Sequence, residues 1–256
     1  MHSTAAGFGD RPGLGSGVCG LWFWFLADAR MNRMALAANN GPPVVLGYPL
    51  AGSFRARNSP ARRVPSHGTE LMGTTFAIDF IPVDEDGRSA PLSWRAVAAT
   101  ERPETFVGFG ADVMAPAAGR VVVAHDGEDD HAARRSQLTL LAYMARQPKR
   151  IRSGAGAVAG NHVVVAIGGN GPYVLIAHLR KGSVSVGVGD VVERGQGIGQ
   201  CGNSGNSTQP HVHVQVTDSV DWPRAHGLPL AFQTAAGIEL PGESQIIRSA
   251  TTGGSP

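Results

Sequence analysis

Short runs of apolar residues, many of them alternating with polar ones, recur along most of the chain. Successive side chains of a β-strand point to opposite faces, so such runs are typical of strands with one buried face. Clusters of Gly, Pro, Asn and Asp separate the runs, which occupy residues 44–50, 74–83, 120–124, 162–167, 173–179, 187–199, 211–217 and 227–234. Many short strands bounded by turn signals predict a mainly β, antiparallel fold.

One long segment, residues 125–160, interrupts the strand pattern. Within it His131–Gln147 has apolar residues at helical spacing along one side. Three acidic residues precede this run, and negative charge favours a helix N-terminus: Glu128, Asp129 and Asp130. We therefore predict a helical insertion, and we interpret the acidic trio as helix capping rather than as a metal site.

The two ends of the chain lack these patterns. Residues 1–42 are rich in Gly, Ala and Asn and are predicted to be a leader or disordered arm, and residues 241–256 a flexible tail. Residues 43–240 then form the folded domain. The stretch from Val18 to Ala29 has the short apolar core and A-x-A-like end of a signal peptide, which favours an extracellular or cell-envelope location. The alternative is a true start at Met31 or Met34.

Composition narrows the classes of function. Hydrophobic residues make up 42% of the chain and charged residues 16%, with 35 glycines, which suits a turn-rich β protein. The net charge of +2 and the lack of a long basic run argue against nucleic-acid binding. No apolar run reaches the ~18 residues of a transmembrane segment.

The two cysteines give no sign of a metal site or of a disulfide framework. Cys19 and Cys201 form no CxxC pair, so neither a cysteine zinc site nor a disulfide framework is indicated. The oligomeric state is left open.

The segment His211-Val212-His213 is the strongest local signal for chemistry. In a strand, residues i and i+2 face the same way, so both imidazoles project together while Val212 points to the opposite face. The loop before them, residues 201–210, consists largely of small polar residues and allows a ligand or backbone to approach closely. Exposed strand histidines also occur by chance, so the motif alone does not identify a site.

Three further polar residues lie at unusual places in the predicted strands and loops. His178 ends the apolar run 173–179, and Asp79 lies between Ile78 and Phe80. A buried carboxylate needs a partner such as a metal or a cation, whereas an outward-facing aspartate on a half-exposed strand does not. His67 follows an Arg-, Ser- and Pro-rich loop. Local sequence leaves both interpretations of Asp79 open.

Taken together, these segments resemble the M23 metallopeptidases of the LytM or lysostaphin type. The resemblance spans Val64 to Asp218 and is carried by SHGT with AIDF, VMAPAAGRVVV, GNHVVV, YVLIAHLRKGS, VGDVVERGQGIGQCGNSGNST and PHVHVQV. It implies a β-sandwich-like fold of the duplicated hybrid-motif kind and a Zn²⁺ ion as cofactor. The order and spacing of the segments are more specific than any one of them.

The resemblance also assigns roles to individual residues. It implies that His67, Asp79 and His213 hold the zinc and that His178 and His211 are the catalytic pair. The family's first motif is usually H-x-x-x-D, whereas here residues 68–78 separate the histidine from the aspartate. Three protein ligands leave one position on a catalytic zinc for water.

The implied function is zinc-dependent endopeptidase activity on peptidoglycan peptides through a metal-activated water. The alternative is a catalytically inactive M23-like module that binds cell wall or regulates a partner hydrolase; all five functional positions are filled here, which argues against it. A lipoyl- or biotinyl-like carrier would share the turns of APAAGRV and GDVVERGQGIG. It requires a lysine at the tip of the hairpin between them, and Lys181 lies in HLRKGS instead.

Overall fold

The eight strands that position the candidate site form one antiparallel sheet in the computed structural model, which describes residues 41–136 and 155–249. The strands, in chain order, are β1 (Val44–Leu46), β2 (Gly52–Arg57), β3 (Ile78–Pro82), β4 (Asp112–Met114), β5 (Gly119–His125), β6 (Asn161–Ala166), β7 (Tyr173–Leu179), β8 (Val191–Val192), β9 (Gly197–Gln200), β10 (Val212–Thr217), β11 (Leu230–Thr234), β12 (Gly237–Glu239) and β13 (Ile246–Ser249). Two short helices, α1 (Arg95–Ala98) and α2 (Ala155–Ala159), and two 3-10 turns, Leu71–Phe76 and Pro103–Thr105, lie between them.

The large sheet has the strand order β13-β2-β3-β10-β7-β6-β5-β8, and every pairing within it is antiparallel. A three-stranded sheet, β1-β11-β12, and a two-stranded sheet, β4-β9, complete the pairing. The mainly β, antiparallel fold is therefore confirmed. The strand that ends near His178 and the strand that carries His213 are neighbours, because β10 pairs with β7.

The main core is shared by residues of all three sheets and lies against one face of the large sheet. An aromatic cluster forms part of it, with ring centroids 4.8 to 5.6 Å apart in stacked and edge-on contacts: Tyr48, Phe54, Phe80 and Phe232. Such rings each bury a large apolar area and add about 0.5–1.5 kcal/mol per well-oriented pair. This cluster fixes β3 firmly in the sheet, and β3 carries Asp79 on its other face.

The predicted insertion differs from expectation where it can be followed. Residues 131–136 are not helical; Ala133 instead forms a β-bridge with Glu101. The predicted start of the helix at His131 is therefore wrong, and the remainder, residues 137–154, lies outside the described residues. At the end of the insertion, α2 spans only Ala155–Ala159.

Two of the three acidic residues, Asp129 and Asp130, hold neighbouring loops, and the residues that follow the trio are not helical. The Asp129 carboxylate pairs with the Lys181 ammonium at 2.6 Å, and Asp130 accepts the backbone N–H groups of Lys181 at 3.0 Å and of Asn203 at 2.6 Å. These bonds use the carboxylates on loops that follow β7 and β9, so the capping interpretation is wrong.

Two smaller expectations also need correction. Residues 246–249 of the predicted tail form β13, which pairs with β2 because its backbone completes the edge of the large sheet. The predicted strand over 74–83 begins only at Ile78, since the 3-10 turn Leu71–Phe76 precedes it, with a kink at left-handed Met72 and Gly73, whose φ angles are 58° and 73°. No helix in residues 41–136 and 155–249 has the length and apolar character that a membrane crossing requires.

Candidate metal and catalytic centre

Asp79 and His213 meet because their strands place them directly opposite each other. They are cross-strand partners in the β3–β10 pairing, on the face turned away from the aromatic core. The His213 Nδ1 atom lies 2.9 Å from Asp79 Oδ1, and only 8% of His213 and 6% of Asp79 are exposed. The buried interpretation of Asp79 is therefore correct, and its carboxylate has imidazole partners.

His67 reaches the same carboxylate despite the long spacing. The Ser66 N–H donates to Thr75 O at 2.9 Å, so the residues between them fold back as a closed loop. This loop returns the chain to the start of β3, and His67 Nε2 lies 3.3 Å from both oxygens of Asp79. The ligand atoms of His67, Asp79 and His213 all lie within 4.8 Å of one another.

His211 and His178 complete the cluster beside these three side chains. Their ring centroids are 4.7 Å apart, and His178 lies 5.9 Å from the ring of His213. His211 Nε2 is 3.6 Å from Asp79 Oδ1. All five residues that the resemblance singles out are thus brought together in one place.

A backbone irregularity gives His178 its orientation. Val174 and Ile176 of β7 point into the core, so strict alternation would send His178 there as well. Instead His178 has φ 63°, and the β6–β7 register shifts beside it, so that Leu179 occupies the core. Left-handed backbone at a non-glycine residue costs on the order of 1–3 kcal/mol and occurs often at functional sites.

Hydrogen bonds to acceptors define the protonation of three imidazoles. The Nδ1 atoms of His178 and His211 lie 2.9 Å and 2.8 Å from the carbonyl oxygens of Ser204 and Gln209. A carbonyl only accepts, so each Nδ1 carries the hydrogen and each Nε2 keeps a lone pair. The Ser66 hydroxyl donates to Thr74 O, so it accepts from His67 Nδ1 at 3.0 Å. His67 Nε2 is then the nitrogen that faces Asp79.

Burial and charge set the protonation of the cluster. Burial alone would raise the pKa of Asp79, but the neighbouring His67 and His211 and the hydrogen bond from His213 hold it well below its usual range. Burial lowers the pKa of His178 far below its usual value and lowers that of His211. For His213 burial acts downward, yet the hydrogen bond and charge of Asp79 raise its pKa. The site thus holds an ionised carboxylate beside two imidazoles that are neutral at pH 7.

The donor set fits a catalytic zinc ion. Two imidazoles and one carboxylate are among the ligand sets that leave one zinc position free. These groups line a cavity of about 290 Å³. Its other lining residues include the apolar Leu175, Ala177 and Trp222 and the polar Asn58 and Thr208.

Two residues of the site were missed in the sequence. Asn58 donates from Nδ2 to Asp79 Oδ2 at 2.7 Å, and nothing in its sequence context signals this contact. Gln215 lies 3.0 Å from His213 Nε2 and only 2% of it is exposed. Strand alternation could have found Gln215, since it follows His213 by two residues on the same face.

Residues 104–223 match the family model described as Peptidase family M23. The chain carries a domain of peptidase family M23. The matched region of this M23 domain contains His178, His211 and His213, whereas His67 and Asp79 precede it. The place of those two residues in the site therefore depends on the geometry described above.

Three of the solved structures that are similar to this chain have the following identities and coverages. The catalytic domain of the antimicrobial peptidase lysostaphin from Staphylococcus simulans is 18% identical, with 75% of this chain and 92% of that chain covered and a TM-score of 0.34. A chain of the SpoIIQ-SpoIIIAH pore forming complex is 19% identical, covering 64% of this chain and 65% of that one, with a TM-score of 0.31. A zinc containing peptidase from Vibrio cholerae is 20% identical, with coverages of 60% and 50% and a TM-score of 0.29.

The chain thus covers 65% of the length of the SpoIIQ-SpoIIIAH complex chain and half of the length of the Vibrio cholerae chain. No curated protein matches the sequence.

Proposed function

We propose that the protein is a zinc-dependent endopeptidase that hydrolyses peptide bonds in peptidoglycan peptides. One observation carries the proposal: imidazole nitrogens of His67 and His213 and the Asp79 carboxylate lie within 4.8 Å of one another, and all three residues line one cavity. His67 would hold the ion through Nε2, Asp79 through Oδ1 and His213 through Nδ1, the atoms that lie closest together. A zinc ion bound there supplies Lewis-acid chemistry, which lowers the pKa of water to about 7 and polarises a carbonyl group.

The catalytic pair would move the proton. His178 and His211 are buried, neutral and anchored through Nδ1, so each presents a fixed Nε2 lone pair. An imidazole in this state accepts a proton from water during attack on the peptide carbonyl. Once protonated, it donates a hydrogen bond to the tetrahedral oxyanion or a proton to the leaving amine. Anchoring by backbone carbonyls keeps both rings from rotating between these steps.

The cavity supports a short peptide segment as substrate. Its volume of about 290 Å³ lies at the lower end of ligand sites, which suits residues with small side chains. Family membership supports peptidoglycan as the source of such peptides, and an activity on peptidoglycan requires the protein to reach the cell envelope. The alternative of an inactive binding or regulatory module is disfavoured, because all five functional side chains are present and in contact.

The proposal is tested with the purified full-length chain. Sacculi and model Gly-Gly and D-Ala peptides are incubated with the protein as isolated, with a chelator, and with zinc restored after chelation. We expect cleavage that the chelator stops and zinc restores. His226→Ala serves as a matched control, since that imidazole is 82% exposed and pairs only with Asp218 among the contacts seen. Stoichiometric zinc without cleavage of any substrate would support the inactive module instead.

A further inference from the structure

Gln215 links the metal-ligand cluster to the wall of the cavity. Its side-chain amide donates from Nε2 to the Met72 carbonyl oxygen at 2.9 Å, and its Oε1 lies 3.0 Å from His213 Nε2. A carbonyl oxygen accepts and never donates, so the bond to Met72 fixes which end of the amide faces the histidine. The amide oxygen therefore faces His213 and requires a hydrogen on His213 Nε2.

The Met72 carbonyl group, which accepts a hydrogen bond from the Gln215 amide, is held rigidly. Met72 and Gly73 both have left-handed backbone, with φ of 58° and 73°. A Cβ at Gly73 would collide with the Thr217 methyl group, so glycine is needed there for the turn to lie against β10. The Met72 carbonyl is thus kept in place over Gln215, which is almost fully buried. Met72 also lines the cavity, as do its neighbours Leu71 and Thr74.

The consequence for His213 concerns its other nitrogen. Because Gln215 accepts the hydrogen of Nε2, Nδ1 is the nitrogen that faces the ionised Asp79, at 2.9 Å. Two acceptors at that distance repel, so in the metal-free protein a proton lies between them and Nδ1 donates it to Asp79. A metal ion can replace that proton while Nε2 keeps its hydrogen. We infer that Gln215 is a positioning residue that holds His213 as the Nε2–H tautomer, with Nδ1 available for the metal.

This inference rests on the proposed function for the identity of the cation. Partners of a metal-bound histidine fix its tautomer and orientation, and their loss commonly lowers metal affinity 10- to 100-fold. A purely structural role for Gln215 would instead lower stability and leave both the tautomer and the affinity of the folded protein unchanged. The two roles are therefore distinguishable.

The test compares full-length wild type, Gln215→Leu and Gln215→Glu. Three quantities are measured: the nitrogen of each histidine that carries a hydrogen, from long-range ¹H–¹⁵N spectra of the zinc-loaded and zinc-free proteins, zinc affinity by competition with a chelator, and the Tm. Gln215→Leu should lose the Nε2–H preference of His213 and bind zinc about 10- to 100-fold more weakly. Gln215→Glu still accepts from His213 but cannot donate to Met72, so it should keep the tautomer and the affinity while its Tm falls.

Tyr48→Phe is the matched control, because it removes the 2.7 Å hydrogen bond to Glu239 in the three-stranded sheet region. It should lower the Tm without changing the tautomer or zinc affinity. The inference is overturned if Gln215→Leu behaves like this control, or if Gln215→Glu loses the tautomer. Should wild type bind no zinc, the proposed function fails, and the ring spectra alone still decide the role of Gln215.

Discussion

The two faces of strands β3 and β10 have opposite chemistry although their residues alternate along the same backbone. On one face Phe80, Val212 and Val214 are fully buried in the core. On the other face Asp79 and His213 are also almost fully buried, yet their partners are polar. Burial alone therefore does not distinguish a stabilising face from a functional one.

The difference lies in what each face needs in order to be satisfied. Apolar side chains of the core face need only close packing, whereas the ionised Asp79 needs the imidazoles and Asn58 around it. A slip of one residue in register would exchange the two sets and destroy both faces. The aromatic packing of β3 thus protects the register on which the metal ligands depend.

The largest expected effect comes from removing a ligand on the functional face. His213→Ala should weaken zinc binding by at least about a hundredfold and abolish peptidase activity. The estimate follows if the ~10–16 kcal/mol of zinc binding is shared among about four ligand positions. Zinc content after dialysis and chelator competition give the measurement. Retention of stoichiometric, tight zinc would contradict the assignment of this ligand.

A second substitution separates catalysis from binding within the same face. His211→Ala should reduce kcat by about 10²–10⁴-fold, because general acid–base groups contribute on that scale, while most zinc affinity remains. Peptide-cleavage rates and zinc titration are measured on the same preparation. Equal loss of zinc and of rate would make His211 a ligand and not a member of the catalytic pair.

A substitution on the core face should lower stability and leave zinc affinity unchanged, the opposite of the substitutions on the functional face. Phe80→Ala should lower the free energy of unfolding of the metal-free protein by about 3–5 kcal/mol, because a large ring is removed from a closed cluster. Urea denaturation followed by circular dichroism measures this change. Zinc affinity of the molecules that remain folded should be unchanged; a selective loss of affinity would show that the two faces are not separable.

The ion pair between Glu101 and Arg135 lies away from both faces, and its loss should have the smallest effect on the free energy of unfolding. That effect should also depend on pH. Hydrogen bonds from Arg135 lower the pKa of Glu101 despite its burial, so its stabilising contribution is present above the usual carboxyl range and is lost as pH falls through the lowered value. Glu101→Gln should cost about 1–3 kcal/mol at pH 7 and little in strong acid. Denaturation midpoints from pH 7 downward measure this, and a difference that does not depend on pH would refute it.

Regular strand alternation made part of the site predictable. It correctly placed His211 and His213 on the same side, and the apolar runs located β7 and β10 to within one residue. The resemblance assigned all five site residues, which the fold brings together. What local pattern could not predict is how His178 turns out of the core, since this depends on a left-handed residue and a shifted register.

Other features could not be read from the sequence because they depend on tertiary contacts. The closed loop after His67 relies on a backbone bond between Ser66 and Thr75, which no spacing rule specifies. The acidic trio suited a helix start electrostatically, yet Asp130 accepts backbone N–H groups of two distant loops and Asp129 pairs with Lys181. Local preferences were outweighed in each case by partners that are distant along the chain.

Diffraction from zinc-loaded crystals, recorded at the zinc absorption edge, tests the central claim most directly. The account predicts one strong anomalous peak about 2.0–2.2 Å from His67 Nε2, Asp79 Oδ1 and His213 Nδ1, with His178 and His211 beside the ion but not bound to it. A peak held by other residues, or no peak between β3 and β10, would contradict it.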